Sequence, residues 1–155
     1  MLFLIKKKSI IIKYLIANKT QLPTEMFYDL IKESFNDEVK TRPYIFKFIS
    51  KYIVCFDVQI PYEKYIIIFL NLEFFNFKEK KNAIKLFSAM ILTKHDILPV
   101  FQEYIDHLLV ILYDLVDIEP FLILFVTSYF YDNSLISDDF ILIILENFNA
   151  LNDND

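Results

Sequence analysis

The sequence predicts an all-α fold, an armadillo/HEAT-like α-α superhelix (solenoid) of about eight helices filling residues 1–155 as one domain. Three observations lead there. The chain has 155 residues and no glycine, where average usage of about 7% would supply roughly eleven. Tight I′ and II′ hairpins lose their preferred residue, which counts against an antiparallel β architecture. Prolines stand at 23, 43, 61, 99 and 120, each ahead of an apolar-periodic stretch. That suits proline at the first helical position, where its missing N–H costs nothing. Finally, the proline intervals are 20, 18, 38 and 21 residues, and the midpoint of the long one holds another start signal.

Taken in order, the elements follow from those marks. A first helix is expected near 3–18, in MLFLIKKKSIIIKYLIANK. Pro23, Pro43 and Pro61 open helices near 24–35, 43–57 and 61–74. Asn76-Phe77-Lys78-Glu79 reads as a capping box, the Asn side chain accepting the third amide and Glu79 reaching back, and opens a helix near 77–94. Pro99 and Pro120 open helices near 99–116 and 120–131. Ser137, followed by Asp138 and Asp139, caps a last helix near 138–149 and suits its macrodipole. Paired, these units give a period near 40 residues, the length of a HEAT or armadillo repeat. Such units bury their apolar faces by stacking on neighbours. An irregular bundle would show the same helices without the spacing.

Two helices can be read by face. In the fifth, Phe77, Ile84, Phe87 and Ile91 form one apolar stripe, with Lys78, Lys81 and Lys85 opposite. In the sixth, Phe101, Tyr104, Ile105, Leu108, Leu112 and Leu115 form the buried stripe. Its other side carries Glu103, Asp106, Asp114 and Asp117, with His107 among them. The runs at 65–72 and 121–126 are apolar nearly all round, and a chain of this size cannot bury everything. An exposed apolar groove, or a partner covering one, is therefore expected.

Composition excludes several classes of function. Without glycine there is no P-loop, dinucleotide fingerprint, nucleophile elbow or EF-hand loop. The longest uncharged stretch, Pro120–Tyr131, is twelve residues, short of the 18–20 a spanning helix needs. Lys6, Lys7, Lys8 and Lys13 interrupt any signal-peptide core, and the single Cys55 permits no internal disulfide. A soluble, cytoplasmic protein with no membrane partner is expected. Fifteen lysines against one arginine read as drift in an AT-rich genome, so the choice of Lys over Arg carries no information.

The net charge of −5 is unevenly spread. Residues 1–94 hold all 16 Lys and Arg against nine acids (+7), and 95–155 hold twelve acids and neither base (−12). Such a field can orient a partner, although drift on two solvated faces would look the same. For a metal, Glu103, Asp106 and His107 could offer ligands, but only His95 adds a second imidazole, so no metal site is expected. Cys55, in KYIVCFDV, reads as an inert core residue rather than a nucleophile. Asp138 and Asp139 are explained by their helix start. The pI of about 5.0 opposes nucleic-acid binding, apart from a local contact inside a larger assembly. No catalytic residues and no cofactor are expected.

The stretch Leu72-Glu73-Phe74-Phe75-Asn76-Phe77-Lys78-Glu79-Lys80-Lys81-Asn82-Ala83-Ile84-Lys85-Leu86-Phe87 resembles a hallmark segment of the Mo-twenty-five family, also called the calcium-binding protein 39 family. Asn76-Phe77 stands for the family's Asp-Phe, Lys80-Lys81-Asn82 for Lys-Lys-Asp, and Leu86-Phe87 for Ile-Phe. Pro99, then Glu103-Tyr104-Ile105, Leu108 and Leu112, is similar to the family's next helix with one residue of slippage. The likeness runs from about Leu70 to Tyr131, some two fifths of the chain. It implies a non-catalytic scaffold whose concave surface docks a Ste20-type protein kinase or pseudokinase and holds it active. Family members are about twice this length, and their pocket for a partner's Trp-Glu-Phe tail lies in the half this chain lacks. No tail-binding residues carry over. Calcium is not implied, since no Asp-x-Asp-x-Asp-Gly loop exists here. The lysine face (Lys78, Lys81, Lys85) or the acidic face (Glu103, Asp106, Asp114, Asp117) is expected to meet the protein partner. The alternative is a subunit or bound factor of a large assembly such as a ribosome; a small α-helical enzyme ranks third.

Overall fold

Prolines and polar caps start the helices, and apolar stripes pack them. The structure is a computed structural model that describes residues 17–18, 20–36, 42–93 and 98–153. Among these the chain is all-α: α1 (Thr24–Ser34), α2 (Arg42–Cys55), α3 (Tyr62–Leu70), α4 (Phe77–Thr93), α5 (Leu98–Glu103), α6 (Ile105–Leu115), α7 (Pro120–Asp132) and α8 (Asp138–Asp153), with a 3₁₀ turn at Leu72–Phe74. The helix expected at 3–18 lies outside the described residues except at its end, as do Lys6, Lys7, Lys8, Lys13 and His95.

The capping box is formed. Asn76 Oδ1 accepts the Glu79 amide at 2.9 Å, and Glu79 answers side chain to side chain, accepting from Asn76 Nδ2 at 2.9 Å. Ser137 Oγ accepts the Phe140 amide at 3.3 Å and opens α8. Two expected helices are shorter than the sequence suggests. The helix expected over 61–74 ends at Leu70, where Asn71 Nδ2 takes the Ile67 carbonyl at 2.8 Å and the backbone tightens into the 3₁₀ turn. The one expected over 99–116 breaks at Tyr104, whose φ −112° and ψ 11° close α5; α6 resumes with the bond from the Leu108 amide to the Tyr104 carbonyl, 3.0 Å. At the end of α7, Ser134 sits at φ 60°. The Leu135 amide reaches the Phe130 carbonyl (2.9 Å) and the Ser134 amide the Tyr131 carbonyl (3.0 Å), a Schellman ending in which serine holds the usual glycine position.

Neighbouring helices return on one another. Phe27 of α1 stacks on Tyr52 near the end of α2, and Phe121 and Tyr131 of α7 meet Phe148 and Asp138 of α8. Alternate helices run the same way. Arg42 of α2 meets Glu79 of α4, and both helices end beside one cleft (Cys55, Thr93). Lys81 of α4 meets Glu119 before α7, and further along Phe87 meets Phe130. Thus α2, α4 and α7 form one parallel row with α4 in the middle, while α3 packs on both α4 and α6. Where the rows meet, the fully buried Phe69, Phe87, Phe101 and Phe130 form a ring cluster with successive centroids 4.7, 5.1 and 5.4 Å apart. Burial of each contributes about 2–3 kcal/mol before any edge-to-face gain. Buried hydroxyls return to their own helices: Ser34 to Ile31, Ser88 to Ile84 and Thr127 to Ile123.

Two burial expectations need correction. Phe77, assigned to the buried stripe of α4, is 63% exposed, because α2 begins opposite Glu79 and leaves the first residue of α4 uncovered. Tyr104 and Ile105 are half-buried, at the junction of α5 and α6, while Phe101, Leu108, Leu112 and Leu115 are buried as expected. The apolar runs do leave open surface, at Ile67 on α3 and Phe121 and Phe125 on α7. Among the described residues no helix is long and apolar enough to cross a membrane.

Candidate functional site: a lysine lane on two parallel helices

Nine consecutive positions near the middle of α4 illustrate its packing: of Asn82 to Met90, only Lys85 is not buried. The open strip of this central helix is lysine: Lys78 is exposed, and Lys81 and Lys85 are half-buried. Periodicity places them so, at i, i+3 and i+7 on one face. Beside them, α2 presents Lys47 and Lys51, an i, i+4 pair, both exposed. These two stand outside the faces expected from the sequence. Their signal was present, since after Arg42 they are the only charged residues of α2 and mark its solvent face.

Register between the two helices is set at their starts. Arg42 Nη2 donates to Glu79 Oε2 at 3.0 Å, and its guanidinium lies 4.4 Å from the Phe75 ring centroid and 5.6 Å from that of Phe46. Glu79 is itself held by Asn76, so the helix cap and the ion pair form one network. Lys78 Nζ sits 3.8 Å from the ring centroid of Tyr44, one turn into α2. Lys81 Nζ lies 3.6 Å from Glu119 Oε1. Lys85 feels the whole group. Its pKa is lowered, first by burial and then by Lys47, Lys81 and Lys51, against a raising pull from Glu119. Five lysines thus line two parallel helices around one carboxylate. A surface of this kind attracts anionic side chains and holds an excess of positive charge that a partner can neutralise.

The lane ends in apolar surface. Val54 and Leu92, 54% and 57% exposed, follow Lys51 and Lys85 on the same faces. Next to them a cleft of about 250 Å³ opens among residues including Ile53, Cys55, Phe56, Asp57, Tyr62 and Thr93. Cys55 is exposed at this cleft rather than buried in the core, a correction with a simple cause: it is the last residue of α2, where the cover of α4 also ends. Among the described residues lining the cleft there is no histidine to activate the thiol.

Of the expected acidic face, Glu103 ends α5, Asp106 and Asp114 lie on α6, and Asp117 follows in the turn after it. Glu103, Asp106, His107, Asp114 and Asp117 are all exposed, around the exposed apolar residues Val110 (61%) and Tyr113 (46%). Lys81 turns to Glu119 and not to this face. Among the described residues no three His, Cys, Asp or Glu side chains lie close enough to hold a metal ion. Asp138 accepts the Tyr131 hydroxyl at 2.7 Å across the α7–α8 turn. The structure therefore groups Lys78, Lys81 and Lys85 with Lys47 and Lys51, and distributes the four acids over α5, α6 and the turn that follows. Set against family models, curated proteins and solved structures, the chain finds no match in any of the three.

Proposed function

We propose that this chain is a non-catalytic protein-binding scaffold of stacked helical layers, working in the cytoplasm. On this reading it is an armadillo/HEAT-like superhelix of the kind the Mo-twenty-five resemblance implies. Its partner would then be a Ste20-type protein kinase or pseudokinase. The observation that carries the reading is the lysine lane on the parallel α2 and α4, with Lys47, Lys51 and Lys78 exposed. Return of α2 on α1 and of α8 on α7, with α2, α4 and α7 parallel, supports the superhelix. Docking would order the partner by contact, the lane setting orientation through charge and the cleft receiving an apolar side chain. Pull-down of such a kinase by the tagged chain, repeated with Lys81→Glu/Lys85→Glu and with Asp106→Lys/Asp114→Lys, tests it. Loss of binding in either variant is expected; capture unchanged in both discards the proposal.

A second reading, a subunit of a large assembly, draws on the apolar surface of α7 and α8, where Phe121 and Leu142 are 72% and 54% exposed. Gradient sedimentation of cell extract separates the two, since a subunit travels with a megadalton particle and a kinase scaffold does not.

A further inference from the structure

The lane and the acidic face share one layout with opposite sign. On α2 and α4, Lys47, Lys51, Lys81 and Lys85 run toward the exposed Val54 and Leu92. Glu103 closes α5, Asp106 and Asp114 stand on α6 and Asp117 in the turn after it, all exposed, with the exposed Val110 and Tyr113 on α6 as well. Within one molecule Lys81 is paired with Glu119, and the four acids are exposed. We infer that the lysine lane receives the acidic stripe of a second copy of this chain, so that copies join head to tail. In this contact α5 and α6 lie along the groove between α2 and α4, carboxylates meet ammonium groups, and Val110 and Tyr113 cover Val54 and Leu92. It requires no further partner and so stands or falls apart from kinase docking.

The second copy is favoured by charge complementarity on both sides. Its acidic stripe brings four carboxylates to a lane of five lysines, of which Lys81 and Lys85 have Glu119 beside them. The acids are carried by two short helices, of 6 and 11 residues, so this face seated across two others falls at the small end of specific interfaces, under about 1,200 Å² in total. Association is accordingly expected to be weak and further weakened by salt. A patch meeting a different patch is heterologous, so it closes into a ring or extends as an open series rather than stopping at a symmetric pair.

Sedimentation velocity of the full chain tests this, across a fortyfold concentration range at low and at high salt. The weight-average coefficient is expected to climb with concentration at low salt and to return to the monomer value at high salt. Lys47→Gln/Lys51→Gln weakens the lane and keeps the stripe; Asp114→Asn/Asp117→Asn does the reverse, and neither change creates a new attraction between the altered faces. All four positions are exposed, and circular dichroism checks that both variants are folded. Each variant alone is expected to stay monomeric, while their equimolar mixture forms a one-to-one complex and stops there, since only one working contact remains. A chain monomeric at every concentration overturns the inference, as does a saturating dimer indifferent to both variants. Monomeric chain whose lane variant loses a kinase in pull-down assigns the lane to that partner and discards self-assembly alone.

Discussion

Ser134 holds a left-handed backbone (φ 60°) in a chain that has no glycine to put there. For a residue with a Cβ this conformation costs about 1 kcal/mol. Ser134→Gly is therefore expected to raise stability by about 0.5–1 kcal/mol, seen as a higher urea midpoint at unchanged m-value. Tyr65 is a second single-residue case. Its hydroxyl is paired with Ser34 Oγ at 2.6 Å, and burial pushes the phenol pKa up, the Ser34 bond offsetting part of the rise. The folded chain keeps this proton where the unfolded chain releases it. Its contribution is thus intact below the unfolded phenol's pKa, about 10, and falls as pH rises beyond that value. Chemical denaturation from pH 8 to 11 is expected to show a steeper alkaline loss in the parent than in Tyr65→Phe. At pH 7 the same substitution costs about 1 kcal/mol, the worth of one buried hydrogen bond.

At the scale of elements, helix starts were legible because their chemistry is local. Proline, Asn76 with Glu79, and Ser137 act within four residues, and α1, α4, α7 and α8 begin where those signals stand. Failures came where a neighbour decides. Phe77 belongs to the right stripe but projects beyond the start of α2, and Cys55 sits in an apolar run whose cover stops with α4. Arg42 is the instructive miss. Against fifteen lysines the one arginine looked like noise, yet it occupies a site suited to a planar guanidinium, paired with Glu79 and over Phe75. Lysine keeps the charge but loses the flat stacking surface. Arg42→Lys is expected to lower stability by about 1–2 kcal/mol, read from thermal or urea unfolding. Of the site, periodicity revealed Lys78, Lys81 and Lys85; the addition of Lys47 and Lys51 required knowing that α2 lies parallel to α4.

For the whole molecule, the division of charge along the sequence becomes a division between elements. Lysines gather on α2 and α4, while Glu103, Asp106 and Asp114 stand on α5 and α6 and Asp117 in the turn after them. The all-α class followed from missing glycine and regular prolines, since both act on every turn of the chain. The rows did not, because which helices pack side by side depends on contacts such as Lys81–Glu119 and Phe87–Phe130, far apart in sequence.

Lys85 also gives the lane a chemical handle. With its pKa lowered by burial and by three lysine neighbours, it carries a larger share of uncharged amine at neutral pH than an ordinary lysine. A limiting dose of an acylating ester at pH 7 is expected to label Lys85 ahead of Lys47 and Lys51, as peptide mass spectrometry would record. Anything seated on the lane would then announce itself by the fading of that one adduct.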